Sequence, residues 1–361
     1  MSNDRFLAKD ALGDFLCHCQ GLGYTVYSPQ KQEGVRESVV FAPWQKGCEI
    51  QLAKATVSPK HLLLPQSEVL FRFRHEKGEE GKSSAVHLED TSQQAQPTLL
   101  FAARPCDARG FTMVDRPYLQ GLYADPYYAK RREELCVLTL CCNSGCESCF
   151  CHWTGGGPSS PEGSDILMTD IAEGLVLQAI TEKGRKLLAQ SDLPEAGAAS
   201  DQATELRRKA WQSLDKAPDL TEAPHKLKEL ADNLDFWTEQ SRACLSCGAC
   251  TYVCPTCYCF SISDERRFSG MEEGVRLRSW DTCMARHFTE EASGHNPRAL
   301  KAQRLQNRIS HKYAGYPENW GSFSCSGCGR CVTHCPVGID IRHIVLAAIA
   351  LPDTQAKEAR S

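Results

Sequence analysis

Two cysteine runs constrain this chain more than any other feature of its sequence. Cys244, Cys247, Cys250 and Cys254 are followed by Pro255, and Cys325, Cys328, Cys331 and Cys335 by Pro336. Both runs read C-x2-C-x2-C-x3-C-P, the ligand spacing for a pair of 4Fe–4S clusters. Three thiolates two residues apart wrap a loop round one face of a cubane. Gly248, Gly327 and Gly329 let the backbone approach the sulfides, and backbone amides then face the cluster's negative charge. In two-cluster ferredoxins the fourth cysteine of each run serves the other cluster. One expected ligand set is therefore Cys244, Cys247, Cys250 and Cys335, and the other is Cys325, Cys328, Cys331 and Cys254. Zinc ribbons use two well-separated CxxC pairs instead of a repeated three-plus-one run ending in proline. Each proline is expected to open a helix at its first turn, the second helix carrying Ile341, Ile344, Val345, Ala348 and Ile349 on one face.

The chain holds 21 cysteines in 361 residues. A disulfide framework belongs to short chains in an oxidising compartment, whereas clustered thiols in a reduced compartment ligate metals. Hydrophobic residues at 42% and charged residues at 24% exclude disorder and fibres. A net charge of −4 gives no global field for nucleic acid. No apolar run reaches the ~18–20 residues of a membrane span. Residues 1–14 carry charges throughout and lack a signal-peptide core, so a cytoplasmic location is expected.

Three regions are read along the chain. Residues 1–185 are expected to form an α/β or α+β domain. It opens with an amphipathic helix bearing Leu12, Phe15, Leu16 and Cys19, followed by strands over Ser38–Ala42, Val69–Phe73, Thr98–Ala103 and Leu135–Leu140. Residues 76–84 read as a polar loop. Residues 186–240 read as a helical connector, and residues 241–361 as a mostly helical domain carrying the ferredoxin-like dicluster. The acidic excess lies in the first 240 residues and a basic excess in the rest.

The first region holds a third constellation. Cys106 and Cys142 each follow an apolar run, and parallel neighbouring strands would bring them to one sheet edge, where α/β folds place their sites. Cys146, Cys149, Cys151 and a glycine loop, Thr154 to Pro158, come next. Cys106, Cys142, Cys149 and Cys151 supply four thiolates for a third cluster; a zinc site or unligated thiols are the other readings. Between the two ferredoxin runs, residues 257–316 form an insertion. Its basic stretch Arg298, Lys301, Arg304, Arg308, Lys312 reads either as a solvated helix face or as a positive surface that offsets cluster charge or docks an acidic partner. Cys257, Cys259 and Cys283 read as buried small hydrophobes or extra ligands.

The sequence resembles the family that comprises the beta subunits of NiFe sulfhydrogenases and the corresponding iron–sulfur subunits of anaerobic sulfite reductases. The resemblance rests on Ser58-Pro59-Lys60 before Pro65 and Glu68, on Arg104-Pro105-Cys106-Asp107, and on Asp125-Pro126-Tyr127-Tyr128 with Arg131-Arg132-Glu133. It continues through Cys149-Phe150-Cys151 and the glycine loop, Cys244 to Cys257, Trp280-Asp281-Thr282-Cys283, Gly294-His295, His311-Lys312 and Cys325 to Cys331. After Cys151 the family's Ser-Met-Gly-Thr type segment is replaced by His152-Trp153-Thr154-Gly155-Gly156. The resemblance implies that Cys106, Cys142, Cys149 and Cys151 are ligands. It also implies an electron-transfer subunit between a flavin subunit using NAD(P)H and a catalytic subunit, either hydrogenase or sulfite reductase. Related chains accompany flavin oxidoreductase and heterodisulfide reductase subunits.

No G-x-G-x-x-G follows a strand, Gly81-Lys82-Ser83 lacks the upstream glycine of a phosphate loop, and no nickel-site cysteine pairs stand near both termini. Substrate chemistry is thus expected in another subunit. A zinc-bound binding module and a stand-alone reductase with an unrecognised flavin site are the other readings.

Overall fold

The computed structural model describes residues 4–34, 38–76, 85–92, 95–266 and 273–352. Its strands are β1 (Arg5–Ala8), β2 (Thr25–Gln32), β3 (Ser38–Pro43), β4 (Ser67–Glu76), β5 (Ala85–Asp90), β6 (Thr98–Ala103), β7 (Leu135–Leu140), β8 (Ile166–Asp170), β9 (Gly174–Ala179), β10 (Phe260–Arg266) and β11 (Glu273–Trp280). The helices are α1 (Leu12–Gly21), α2 (Pro105–Leu119), α3 (Pro126–Glu134), α4 (Glu182–Gln190), α5 (Ala199–Gln212), α6 (Ala223–Glu229), α7 (Leu234–Gln240), α8 (Ala249–Tyr252), α9 (Lys301–Ser310), α10 (Tyr316–Trp320), α11 (Arg330–Thr333) and α12 (Ile341–Ala350).

The main sheet has seven strands in the order β1-β9-β8-β7-β6-β2-β3. Its centre, β2-β6-β7-β8, is parallel, and the outer pairings are antiparallel. Strands β6 and β7 are apolar apart from Thr98 and Thr139 because helices cover both faces. Leu99, Phe101, Cys136 and Leu138 pack with Phe15 and Leu16 of α1 and Leu187 and Leu188 of α4. The alternate residues Leu100, Ala103, Leu135 and Val137 pack with Phe111 and Val114 of α2 and Tyr128 of α3. At the C-terminal end of β6 the register with β7 shifts, and Ala102 takes a φ of 60°. That bulge turns the chain abruptly into α2, which opens with Pro105 and Cys106.

A second, antiparallel sheet runs β10-β11-β4-β5. Strand β11 pairs along β4, Glu273 opposite Arg74 and Ser279 opposite Ser67. The insertion between the ferredoxin runs therefore supplies two strands, so the region from residue 241 onward is not uniformly helical. The sheet spans the sequence boundary drawn at residue 240. Residues 77–84 of the expected polar loop lie outside the described residues; the strands flanking them pair Glu76 with Ala85. Neither proline after a cysteine run opens a helix. Helix α12 begins at Ile341, where Asp340 caps it through the amide of Arg342, and it buries Ile341, Ile344, Val345 and Ala348. Among the described residues no helix is long and apolar enough to cross a membrane.

Candidate metal centres

The two ferredoxin runs adopt the same local shape. In each, a left-handed glycine, Gly248 (φ 75°) or Gly329 (φ 74°), precedes a one-turn helix, α8 or α11. Glycine tolerates this backbone without steric cost. Cys244, Cys247, Cys250 and Cys335 line one cavity, closed by Met284, Leu305 and Ile309. The amide of Ile339 donates to Cys335 Sγ at 3.2 Å, and that of Ser246 to Cys244 Sγ at 3.4 Å. Cys325 and Cys328 are buried and Cys331 partly so; burial pushes the Cys331 thiol up against the opposing charge of Arg308, with Cys328, Cys325 and Cys254 acting as further nearby charges. Cys335 thus lines the first run's cavity, as does Cys331, and Cys254 lies near both Cys250 and Cys331.

The third constellation converges as well. Because β6 and β7 are parallel neighbours, Cys106 and Cys142 meet beyond their C-terminal ends. With Cys146, Cys149, Cys151 and Cys328 they line a cavity of ≈ 300 Å³, which Lys54 and Arg104 also face. The amide of Cys146 donates to Cys149 Sγ at 2.9 Å. The neighbouring Cys149 thiol, aided by Lys54 with its Nζ 3.4 Å from Cys146 Sγ, holds the Cys146 thiol well below its ordinary value. The same contact pushes Cys149 up. Arg109 braces the glycine loop, donating to the Thr154 carbonyl at 2.5 Å and to Glu162 Oε2 at 2.9 Å. Trp211 closes its far side, since a Cβ on Gly157 would fall 1.9 Å from the indole ring.

This cavity and the second ferredoxin run lie backbone against backbone. The Phe150 amide donates to the Gly327 carbonyl at 2.7 Å. A Cβ on Gly327 would sit 2.5 Å from the Cα of Cys151, and one on Gly329 2.2 Å from the Ser148 carbonyl oxygen. Only glycine allows that approach.

Buried cations surround the thiols. Arg308 donates to the Cys250 carbonyl at 2.8 Å and to Cys257 Sγ at 3.1 Å. Lys312 donates to Thr256 Oγ1 at 2.7 Å and to the Ser324 carbonyl at 2.9 Å. Lys60 donates to the Cys257 carbonyl at 2.9 Å and lies 4.3 Å above the Trp280 ring. Half-buried Lys54 also donates to the Cys328 carbonyl. Among the described residues none of these four pairs with a carboxylate. A buried charge without a counter-ion is costly, so the donor set fits an anionic, thiolate-bound group. Arg304, Arg308 and Lys312 point inward, and the reading of this stretch as a solvated helix face falls.

Among the described residues, no three His, Cys, Asp or Glu side chains gather closely enough to hold a single metal ion. No sequence pattern points to Lys54 or Trp211, whose places depend on the fold. Asp107 and Arg330, each beside a cysteine, were legible as neighbours of the motifs.

Residues 243–339 match the model of the 4Fe-4S dicluster domain family. The chain is 31% identical over 249 residues to sulfhydrogenase 2 subunit beta of Pyrococcus furiosus, covering 67% of this chain and 71% of that one. It is 25% identical over 171 residues to the F420-dependent formate dehydrogenase subunit beta of Methanocaldococcus jannaschii, covering 46% of this chain and 37% of that one. No solved structure matches. On the strength of the sulfhydrogenase match and the dicluster domain, this chain belongs to the sulfhydrogenase beta-subunit family of iron–sulfur electron-transfer subunits.

Proposed function

We propose that this chain carries single electrons, in the cytoplasm, between a flavin subunit served by NAD(P)H and a catalytic subunit of hydrogenase type. The sulfhydrogenase relative supports the choice of catalytic partner; neither relative's name supports sulfite reductase. The ligand sets are Cys244, Cys247, Cys250 and Cys335; Cys325, Cys328, Cys331 and Cys254; and Cys106, Cys142, Cys149 and Cys151. Clusters of this class, when bound, accept and release one electron at a time.

The chain's own residues hold the thiols, exclude water and balance charge. Gly327 and Gly329 let the second run lie against Phe150 and Cys151. Arg308 supplies positive charge at the first set's cavity, Lys312 beside the second set, and Lys54 at the third. Cys247 is exposed, which gives the first set an open side. The single observation that carries the reading is that buried Lys60, Arg308 and Lys312 lie beside the cysteines with no carboxylate partner among the described residues. Iron and acid-labile sulfide analysis of anaerobically purified protein tests it. About four irons per ligand set are expected, with cubane signals in electron paramagnetic resonance after reduction.

A further inference from the structure

Three cysteines outside those ligand sets lie near Arg308. The Cys257 thiol accepts from Arg308 Nη1 at 3.1 Å and lies beside that of Cys254, a member of the second set. The Cys259 and Cys283 thiols are neighbours on one cavity wall, and Cys257 lies near enough to Cys283 to act on it as a charge. None of the three is in a disulfide. Cys259 and Cys283 line an open cavity of ≈ 540 Å³ together with His311, Asn307, Ser310 and Gly315.

His311 begins the segment His311–Gly315, where α9 widens into a π-turn before α10. Such turns are rare and concentrate at functional sites. His311 Nε2 lies 3.3 Å from the Tyr258 hydroxyl, which leaves Nδ1 as the nitrogen open to a metal. Metal-bound imidazoles almost always have their second nitrogen held by such a partner.

Inert cysteines in this chain look different. Cys19 and Cys136 sit among Leu16, Val26 and Leu138 in the main core, and burial alone raises the Cys19 thiol to about 12. The thiols of the insertion instead lie beside two buried cations and a cavity. Zinc sites favour pairs separated by two to four residues; here one residue separates Cys257 from Cys259.

We propose that Cys257, Cys259, Cys283 and His311 hold a further iron–sulfur centre, packed against the second ferredoxin-type set with Arg308 and Lys312 beside both. The class of metal rests on the iron–sulfur reading of the neighbouring thiols; the four-ligand site rests on the geometry of the insertion. The test is metal and acid-labile sulfide content of the full chain, purified anaerobically, for wild type, Cys259→Ser, Cys283→Ser and, as a control, Cys17→Ser. Each of the first two variants is expected to carry about four irons and four sulfides fewer than the control. Unchanged iron in both, or zinc as the metal lost, overturns the proposal.

A second pair of variants guards against a failure of folding. His311→Ala is expected to lose the same four irons and His311→Cys to keep them, with a changed resonance signal. Full iron in His311→Ala overturns the proposal. If the wild type contains no labile sulfide, the electron-transfer reading itself falls. If wild type contains iron and the variants keep all of it, only this centre falls.

Discussion

Arg330 and Asp107 form a fully buried, two-pronged ion pair, with Nη1 to Oδ1 at 2.5 Å and Nη2 to Oδ2 at 2.9 Å. The two side chains are 1% and 0% exposed. Each stands beside a cysteine, Cys331 and Cys106, and Arg330 Nε also donates to the Ala55 carbonyl at 2.9 Å. One interaction therefore ties the second ferredoxin run to the cavity at the end of the main sheet. The two proposed centres share a wall whose geometry depends on this pair.

Breaking that pair on one side strands a buried charge. Asp107→Ala is expected to cost about 3–5 kcal/mol, read from denaturant unfolding under anaerobic conditions. The double variant Asp107→Ala with Arg330→Met is expected to be less destabilised than Asp107→Ala alone. If the double variant is the worse of the two, the pair is not what holds the wall.

Gly327 and Gly338 both have positive φ, 63° and 71°, but differ in surroundings. A Cβ on Gly338 meets nothing within 4 Å, whereas one on Gly327 runs into the Cys151 backbone. Gly338→Ala is expected to cost only the ~1–2 kcal/mol of left-handed strain. Gly327→Ala is expected to lower iron content as well, because it pries two ligand loops apart. Equal iron in the two variants would contradict the close approach.

Lys312 gives a prediction whose sign depends on the iron. With clusters bound, Lys312→Met removes a counter-charge and is expected to lower both reduction potential and thermal midpoint. In the iron-stripped chain the same change removes an uncompensated buried cation and is expected to raise the midpoint. A shift in the same direction in both forms would show that Lys312 does not answer to a bound anion.

Cys142→Ser or Cys149→Ser is expected to remove about four irons and leave the C-terminal pair's signals intact. Full iron content in both variants would remove the third ligand set.

Much of this arrangement was legible in the sequence, because thiol spacing is local information. The two runs read directly as ligand loops. The ends of β6 and β7 were legible because both strands are near-continuous apolar runs. The meeting of Cys106 and Cys142 follows from the parallel pairing of those strands. Other features depend on tertiary contacts. Strand β1 is four residues long and carries no periodicity. Strand β10 is exposed throughout and takes its shape from pairing with β11. The inward turn of Arg308 and Lys312 contradicts the usual meaning of a basic helical stretch, and only the thiols on its buried side explain it. Lys54 lies far in sequence from Cys146 and Cys328, and no motif links them.

The most direct measurement of the central claim is parallel iron, zinc and acid-labile sulfide analysis of the anaerobically purified chain. A thiolate-held cluster carrier must yield iron and sulfide in equal amounts, at about four of each per occupied ligand set. Colourless protein without labile sulfide, or zinc in place of iron, would contradict that claim.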